Sequence, residues 1–260
     1  MSTKQIQGEL WSTSPKDWAS YFEPSFLPLY KKVLQELELS EDQLLLDAGC
    51  GAGLFSTMVN QTGAQVIGVD AAAGLLDIAR HRNSKNSFLE EDLEKLPFQD
   101  GFFDVVAGFN SFQYAGDFST SISEAARVLK PGGRLVIGIW DKPELSEATQ
   151  ILKAIGGLLP PPPPGTPGPF ALSEDGKVES ICEQAGLRVI HRTQVGCPLF
   201  YRNLAEGISS FMSTGPAAAA GKHHDEMRIR ETIAKALQNF RLVDGMYHLQ
   251  NQFLLFIAEK

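Results

Sequence analysis

The segment Leu44–Gly53, LLLDAGCGAG, constrains this chain more than any other. It opens with a short continuous apolar run, which is typical of a strand that is buried on both faces. The run ends at Asp47, and glycines then occupy every second position, at Gly49, Gly51 and Gly53. Glycine is needed where the backbone turns tightly or where a ligand approaches it without an intervening Cβ. We therefore expect a strand, a glycine-rich turn and a helix N-terminus, whose free N–H groups would favour an anionic group.

Similar apolar runs recur further along, at Val66–Asp70, Phe103–Phe109 and Arg134–Trp140. Segments of helical periodicity separate them, after the glycines, after Asp70 and over residues 122–129. Ser121 and Glu124 have the spacing of a capping box, which predicts that the third of these helices begins at Ser121. Strands that are apolar on both faces and alternate with helices predict a doubly wound α/β fold with a mostly parallel sheet.

The second half of the chain is less regular. A proline-rich stretch begins with the five prolines Pro160–Pro164 and predicts an extended linker, or alternatively a ligand for an SH3-type domain. Beyond it we expect a helix at 174–185, a strand at 187–195, helices at 203–212 and 222–240 with a break at Gly215-Pro216, and a final strand at 247–258. The first forty residues are predicted to be helical and rich in aromatic side chains.

Composition limits the kind of protein this is. Acidic residues outnumber basic ones by 31 to 23, which argues against nonspecific nucleic-acid binding, because that depends on Lys and Arg. The three cysteines are too few and too scattered for a disulfide scaffold or a zinc site, so no metal is expected. No apolar run approaches the roughly 20 residues of a membrane helix, and the N-terminus lacks a secretory pattern. We therefore expect a cytoplasmic protein, monomeric or homodimeric, that binds neither membrane nor nucleic acid.

The acid that ends the second strand, Asp70, suggests which ligand the glycine turn serves. An α/β fold places a carboxylate at this point on the hydroxyls of a ribose. The dinucleotide fingerprint G-x-G-x-x-G does not match, because its third glycine would fall on Leu54. The observed spacing, G-x-G-x-G preceded by an acid, resembles motif I of the class I S-adenosylmethionine-dependent methyltransferases.

The resemblance continues through four more segments in the order of that family, Val66–Arg80, Phe88–Phe98, Phe103–Asp117 and Ala126–Trp140. It is strong over residues 40–140 and closest to the ubiquinone-biosynthesis-like subgroup, which acts on small molecules. It implies a Rossmann-like seven-stranded sheet, mostly parallel with an antiparallel last strand. It also implies one domain overall, with a helical cap at 1–43, a cofactor-binding core at 44–140, a helix and proline-rich linker at 141–170, and at 171–260 the rest of the sheet with inserted lid helices at about 200–242.

The residues that match the family's cofactor-binding positions are Asp47, Gly49, Cys50, Gly51, Gly53, Asp70, Ala71, Leu75, Asp92, Leu93, Phe109 and Asn110. The resemblance implies that the backbone of residues 49–51 binds the methionine end of S-adenosylmethionine. Asp70 would hold the ribose, Ala71 and Leu75 would lie beside ribose and adenine, and Asp92 with the Leu93 backbone would bind the adenine. The last two residues of the set would border the transferred methyl group.

Plainer roles remain open for several of these residues. Asp47 alone could cap the glycine turn, and Asp70 could cap the following helix. Asp92 adjoins two other acids, so its register could differ. Cys50 has no basic neighbour in sequence and is expected to be a packing residue rather than a nucleophile. His223–Glu226 is expected to be a solvated helix end, and we assign no catalytic residue.

These observations together predict a methyltransferase that acts on a small organic molecule. The methyl group of S-adenosylmethionine is already activated on a sulfonium, so the protein mainly has to position donor and acceptor. Trp11, Trp18 and Tyr21 could close the pocket, and the acceptor would enter between them and the inserted helices. One alternative is a non-catalytic scaffold or sensor that keeps the cofactor site. A nicotinamide-dependent oxidoreductase is disfavoured by Leu54 and by the lack of a Tyr–Lys pair at catalytic spacing.

Overall fold

A computed structural model describes residues 2–161 and 170–260 of the chain. The strands are β1 (Leu44–Ala48), β2 (Gln65–Asp70), β3 (Ser87–Glu90), β4 (Phe103–Phe109), β5 (Leu129–Trp140), β6 (Arg188–Gly196), β7 (Leu199–Tyr201), β8 (Tyr247–Leu249) and β9 (Gln252–Glu259). Most of the predicted proline-rich linker, residues 162–169, lies outside the described residues.

The helices surround the sheet and also form the N-terminal segment. They are α1 (Lys4–Trp11), α2 (Pro15–Asp17), α3 (Leu27–Leu37), α4 (Leu54–Asn60), α5 (Ala73–Arg82), α6 (Phe118–Val128), α7 (Ala148–Gly156), α8 (Lys177–Gln184), α9 (Leu204–Met212), α10 (Gly215–Ala220) and α11 (Glu226–Leu237). A π-helical turn at Trp18–Phe22 and a 3₁₀ turn at Glu23–Phe26 connect α2 to α3.

Seven of the strands form one sheet in the order β3-β2-β1-β4-β5-β9-β6. Strands β1 to β5 pair in parallel, and β9 is antiparallel to both of its neighbours. The predicted fold class is therefore confirmed. Adjacent side chains on β1, such as Leu45 and Leu46, point to opposite faces and are both fully buried because helices cover both sides. This double burial is why the strand reads as a continuous apolar run.

The final strand differs from its prediction. Residues 247–258 do not form one strand, because β8 pairs with β7 in a separate two-stranded ribbon before β9 enters the main sheet. Asn251 lies at the break and is buried. Its side chain accepts a hydrogen bond from the Ala148 N–H (3.0 Å) and donates to the carbonyl of Leu249 (3.2 Å). These contacts satisfy its amide where the chain changes sheets.

The predicted capping box of α6 is wrong. The helix begins one turn earlier, with Asp117 as its N-cap, and the Asp117 carboxylate accepts a hydrogen bond from the Ser119 N–H (2.9 Å). The Ser121 hydroxyl donates instead to the carbonyl of Phe118 (2.9 Å). Glu124 points away from the helix start and pairs with Arg127 on its own helix.

The C-terminal insertion contains three helices where two were predicted. Gly215 and Pro216, predicted as a break, form the start of α10, where a proline costs nothing because the first N–H groups of a helix have no intrahelical partner. Helix α11 begins at Glu226 rather than at Lys222, because the Asp225 side chain caps it by accepting from the Arg228 N–H (2.8 Å). Residues 222–225 therefore precede the helix.

Candidate cofactor-binding site

A cavity of about 570 Å³ lies at the carboxyl ends of β1, β2, β4 and β5. The chain order reverses between β1 and β4, which are neighbours in the sheet, so the cavity sits at the topological switch point. Open α/β sheets bind their ligands at this point, and the volume falls in the usual range for a small-molecule site. Its walls come from the N-terminal segment, the glycine turn, the strand ends, α7 and the start of α10.

Most of the predicted cofactor-binding residues line this cavity. They are Gly49, Cys50, Gly51, Asp70, Ala71, Leu75, Asp92, Leu93, Phe109 and Asn110. Asp47 and Gly53 are not part of the lining. The structure thus brings residues from four separate segments of the sequence to one crevice.

Asp47 lies beneath the glycine turn rather than facing the cavity. Its side chain is 1% exposed, and its carboxylate accepts a hydrogen bond from the Ser56 hydroxyl (2.7 Å). Burial raises the pKa of Asp47 to about 7, opposed by the Ser56 hydrogen bond and reinforced by the nearby charges of Asp70 and Glu23. Asp47 therefore supports the turn from the interior.

Two of the three glycines are required by close approach to other residues. A Cβ on Gly49 would lie 2.2 Å from the Cβ of Ser111, and its φ of +81° is in the left-handed region. A Cβ on Gly53, at φ +79°, would lie 2.9 Å from the Cβ of Ala79, so this glycine lets α4 approach α5. The role of Gly53 is packing between helices.

The N–H groups of the glycine turn are already used within the protein. Gly49 and Cys50 donate to the Val69 carbonyl (2.8 and 3.0 Å), Gly51 to an Asp70 oxygen (2.8 Å), Gly53 to the Cys50 carbonyl (2.9 Å) and Leu54 to a Glu23 oxygen (3.2 Å). The expectation that free N–H groups here would attract an anion is therefore wrong. The carboxylates of Glu23, Asp70 and Asp92 line the same region and favour a ligand that carries positive charge.

Asp70 caps the start of α5, which is one of the roles that its sequence position left open, and it also lines the cavity. Its Oδ1 accepts the Ala72 N–H (2.8 Å) at the start of α5, and its Oδ2 accepts the Gly51 N–H (2.8 Å). Burial raises the pKa of Asp70, while these backbone hydrogen bonds oppose the shift. Each carboxylate oxygen has a second lone pair, so the group can also accept hydrogen bonds from a ligand in the cavity.

The far end of the cavity is bounded by Asp92, Leu93 and helix α1. The Asp92 Oδ1 accepts the Glu94 N–H (2.9 Å), and the Ser2 hydroxyl donates to its other oxygen. Lys4, which also lines the cavity, donates to the Glu90 carbonyl (2.8 Å). The N-terminal residues thus lie over the site, as the sequence suggested for its aromatic members. Trp11 and Trp18 line the cavity, whereas Tyr21 lines a separate surface pocket.

Sequence analysis did not identify the buried pair Glu23 and Arg82. Glu23 is 2% exposed, and its carboxylate is paired with the Arg82 guanidinium and accepts the Leu54 N–H. Burial raises the pKa of Glu23, and Arg82 opposes the shift. Arg82 also donates to the carbonyls of Ala52 (2.9 Å) and Ala19 (3.1 Å), so it joins the N-terminal segment to the glycine turn. The sequence did contain one indication of this pair, because Glu23 is an acidic residue within the aromatic stretch of residues 18–26.

Three buried polar atoms in the cavity wall have no hydrogen-bond partner within residues 2–161 and 170–260. They are Trp18 Nε1, Ser111 Oγ and Thr149 Oγ1. Buried polar groups are nearly always hydrogen-bonded, so an unpaired one beside a cavity indicates a position that a ligand or water would satisfy. Trp18 Nε1 lies next to the glycine turn, 3.5 Å from where a Cβ of Gly51 would stand.

Asn110 lies in the cavity wall, directly after the carboxyl end of β4. It has a φ of +49°, an unusual conformation for a non-glycine residue that is often found at functional sites. Its Oδ1 accepts hydrogen bonds from the Gln113 side chain (2.9 Å) and from the Trp140 N–H (3.2 Å), which hold this conformation. Another part of the cavity wall is apolar and mostly aromatic and is formed by Phe22, Phe26, Tyr30, Trp140, Leu152, Leu159 and Phe170.

The histidine cluster singled out in the sequence lies outside this arrangement. His223 and His224 are exposed. Cys50 lines the cavity, but burial raises the pKa of its thiol well above the usual value, as suits a packing residue. Within the described ranges, no cluster of three His, Cys, Asp or Glu side chains could hold a metal ion. The same ranges contain no helix long and apolar enough to cross a membrane.

Comparison with known proteins agrees with this geometry. Residues 46–137 match the family described as a methyltransferase domain. The chain is 34% identical over 113 residues to malonyl-[acyl-carrier protein] O-methyltransferase of Serratia marcescens, covering 44% of each chain. It is 40% identical over 129 residues to demethylmenaquinone methyltransferase of Thermus thermophilus, covering 44% of this chain and 59% of the relative. The chain therefore spans about half the length of the curated relatives it matches.

Among solved structures, the chain resembles a SAM dependent methyltransferase from Aquifex aeolicus. The TM-score is 0.54 at 24% identity, over 70% of this chain and 92% of the other. At 24% sequence identity, this similarity shows a shared fold and nothing further. Residues 46–137, which contain the glycine turn and the ends of β2 and β4, are the part of the chain that is similar to the methyltransferase domain family.

Proposed function

We propose that this protein is an S-adenosylmethionine-dependent methyltransferase that acts on a small organic molecule. The observation that carries the proposal is the pair of carboxylates at the ends of neighbouring strands, Asp70 as the last residue of β2 and Asp92 shortly after β3, which line one cavity beside the glycine turn. The acidic lining suits a ligand with a sulfonium and an ammonium group. The activities of the relatives, on an acyl-carrier-bound malonyl group and on demethylmenaquinone, support the reaction type.

The residues of the cavity fit the parts of S-adenosylmethionine. Asp70 would accept hydrogen bonds from the ribose hydroxyls, with Ala71 and Leu75 beside the sugar and base, and Asp92 and the Leu93 backbone would bind the adenine. The unpaired Trp18 N–H, next to the glycine turn, would donate to the carboxylate of the methionine part. The positions of Asp47 and Gly53 assign them to support of the turn rather than to direct contact.

When bound, S-adenosylmethionine supplies a methyl group that is activated by the positive sulfonium. The protein then has to align the acceptor with that group and exclude water, and both tasks suit a cavity with apolar walls. Phe109 and Asn110, which line the cavity at the carboxyl end of β4, would border the methyl group, as the resemblance to the family implies. We assign no general base.

The proposal can be tested by titration with S-adenosylhomocysteine. All three tryptophans of the chain, at positions 11, 18 and 140, line the cavity, so binding should change the intrinsic fluorescence as well as release heat. Asp70→Asn should weaken binding roughly tenfold to a hundredfold, since a hydrogen bond to a charged group contributes about 1.5–3 kcal/mol.

A matched control is Asp77→Asn on α5. Its carboxylate is exposed and pairs with Arg80 on the same helix, so affinity should not change. The Asp70 carboxylate also holds two backbone N–H groups, so circular dichroism must first show that Asp70→Asn is folded. Tighter binding of NAD than of S-adenosylhomocysteine, or equal affinity in both variants, would contradict the proposal. Binding without methyl transfer to any acceptor in a broad panel would favour the scaffold alternative.

A further inference from the structure

Thr149 is the most deeply buried of the unpaired polar groups in the cavity wall. It lies in the first turn of α7 and is 4% exposed, and its Oγ1 has no hydrogen-bond partner in the described part of the chain. A buried hydroxyl without a partner is unfavourable, and a valine of the same shape would avoid that cost. The presence of threonine rather than valine at position 149 is therefore explained if a bound molecule forms a hydrogen bond with the hydroxyl.

The walls around Thr149 define what kind of molecule could do so. Trp140, Leu152 and Phe170 line the same part of the cavity, and Phe26 and Tyr30 face it from the N-terminal segment. The rings are held in place by other aromatic side chains. Trp140 packs on Phe253 (4.4 Å between ring centroids), and Tyr30 packs on Phe109 (4.8 Å). Rigid aromatic walls favour a flat apolar ligand, because rings prefer offset-stacked or edge-to-face contact.

Few charged groups lie near this part of the cavity, and Glu23, which is close to Tyr30, is paired with Arg82. Burial raises the pKa of Tyr30 well above its usual value, so its hydroxyl remains neutral. Lys153 lies one helical turn after Thr149, but it is exposed and stands at the opening. A small polar acceptor would lose its hydration here without gaining partners. The walls and the single hydroxyl therefore fit a ring compound that carries one inward-facing oxygen.

We propose that the aromatic part of the cavity binds an aromatic acceptor and that the Thr149 hydroxyl positions it through a hydrogen bond to an oxygen substituent on the ring. This inference rests on the proposed function, because it places the ring across Phe109 and Asn110 from the cofactor. Thr149 acts as a positioning and specificity residue, and the methyl transfer itself does not pass through it. The hydroxyl both donates and accepts, so a phenol or a ring carbonyl satisfies it.

The test uses two probes that differ only at the oxygen, 1-naphthol and 1-methylnaphthalene. Each is titrated by ligand-observed NMR against the full-length protein, saturated with S-adenosylhomocysteine. We expect 1-naphthol to bind wild type about tenfold more tightly than 1-methylnaphthalene, as one recovered hydrogen bond predicts. Thr149→Val should bring this ratio to about one without weakening 1-methylnaphthalene. Thr149→Ser, which keeps the hydroxyl, should retain the preference.

Thermal unfolding of the unliganded variants separates positioning from a structural role. Because the wild-type hydroxyl is unpaired, Thr149→Val should unfold at the same temperature as wild type or higher. A lower unfolding temperature together with weaker binding of both probes would overturn the inference. So would equal affinity of wild type for the two probes, or tighter binding of 1-decanol or glycine than of either.

The preliminary titration with S-adenosylhomocysteine distinguishes the two proposals. A folded wild type that does not bind S-adenosylhomocysteine contradicts the proposed function, whatever the naphthol result. A protein that binds S-adenosylhomocysteine but shows no preference for 1-naphthol contradicts only the assignment of Thr149 and the aromatic acceptor.

Discussion

Gly49 shows how a single residue determines the shape of this site. The turn after β1 passes so close to the loop after β4 that a Cβ on Gly49 would lie 2.2 Å from the Cβ of Ser111. Gly132 has nearly the same backbone conformation, φ +77° against +81°, but among the described residues no atom beyond its chain neighbours lies within 4 Å of where its Cβ would be. A comparison of alanine substitutions at the two glycines therefore separates the energetic cost of the left-handed conformation from that of the overlap with Ser111.

We expect Gly132→Ala to lower the free energy of unfolding by about 1–2 kcal/mol, the cost of a left-handed alanine. Gly49→Ala should lose a further 1–3 kcal/mol or so, because the loops must move apart to relieve the overlap. It should also weaken S-adenosylhomocysteine binding, whereas Gly132→Ala should not. Urea unfolding and calorimetric titration measure both effects. Equal losses of stability in the two variants would show that the contact with Ser111 has no energetic consequence.

At the scale of single residues, the sequence predicted only part of the structure of the glycine turn. It predicted that the turn needs glycines, because the pattern reports on backbone sterics. It did not predict which atoms the turn would present, and the expected anion-attracting N–H groups are used by Val69, Asp70 and Glu23. Those partners lie 19 to 31 residues away along the chain from the N–H groups that they bind, a separation that spacing rules do not cover.

Among the elements, the N-terminal segment and the glycine turn are connected by the ion pair between Glu23 and Arg82. Glu23 has a side-chain exposure of 3%, and Arg82 also binds two carbonyls, one on each side of the junction. Removal of one partner from a buried pair leaves an uncompensated charge, which is far more costly than loss of an exposed pair.

We therefore expect Arg82→Met to lower the free energy of unfolding by about 3–5 kcal/mol, and Glu23→Gln combined with Arg82→Met to recover part of that loss. The exposed pair Glu226–Arg230 on α11 supplies the control, and Arg230→Met should cost no more than about 0.5 kcal/mol. Urea unfolding of the four proteins measures the difference. If Arg82→Met and Arg230→Met lowered the free energy of unfolding by equally small amounts, the Glu23–Arg82 pair would not be what holds the N-terminal segment against the glycine turn.

The elements themselves were largely predictable, and the errors lie at their ends. Strand β4 has its predicted bounds, since its apolar run is fully buried. Helix α6 starts at its Asp117 cap rather than at Ser121, and the strand predicted over 247–258 is divided at Asn251. In both cases a side-chain hydrogen bond decided the boundary, and periodicity does not report such bonds.

For the molecule as a whole, the buried carboxylates make stability depend on pH. Asp47 has a folded pKa of about 7, whereas its ordinary value is 3.8, chiefly because burial disfavours the charged form. Between these two values the folded protein holds a proton that the unfolded chain has released. The stability that Asp47 contributes is therefore lost as the pH rises from about 4 to about 7.

We expect Asp47→Asn to be progressively more stable relative to wild type as the pH rises from 5 to 7, by up to about 1.4 kcal/mol per pH unit, and to show a constant difference above pH 8. Urea unfolding at several pH values measures this. Asp104→Asn is the control. Burial would raise the pKa of Asp104, but Lys130 and the Leu44 N–H lower it overall, so its effect should vary only below about pH 4. Parallel profiles for wild type and Asp47→Asn would contradict the prediction.

The linear chain was enough to establish the strand–turn–helix order, the parallel sheet and the acids that end its strands, because periodicity, glycine sterics and strand polarity act over a few residues. Folding in three dimensions settled the rest. It turned Asp47 inward, closed the N-terminal segment over the cavity through Glu23 and Arg82, and left the Thr149 hydroxyl without a partner among residues 2–161 and 170–260. These outcomes depend on which groups from distant parts of the chain come into contact in the buried interior. There, a hydrogen-bond donor or a charge is costly unless it is paired.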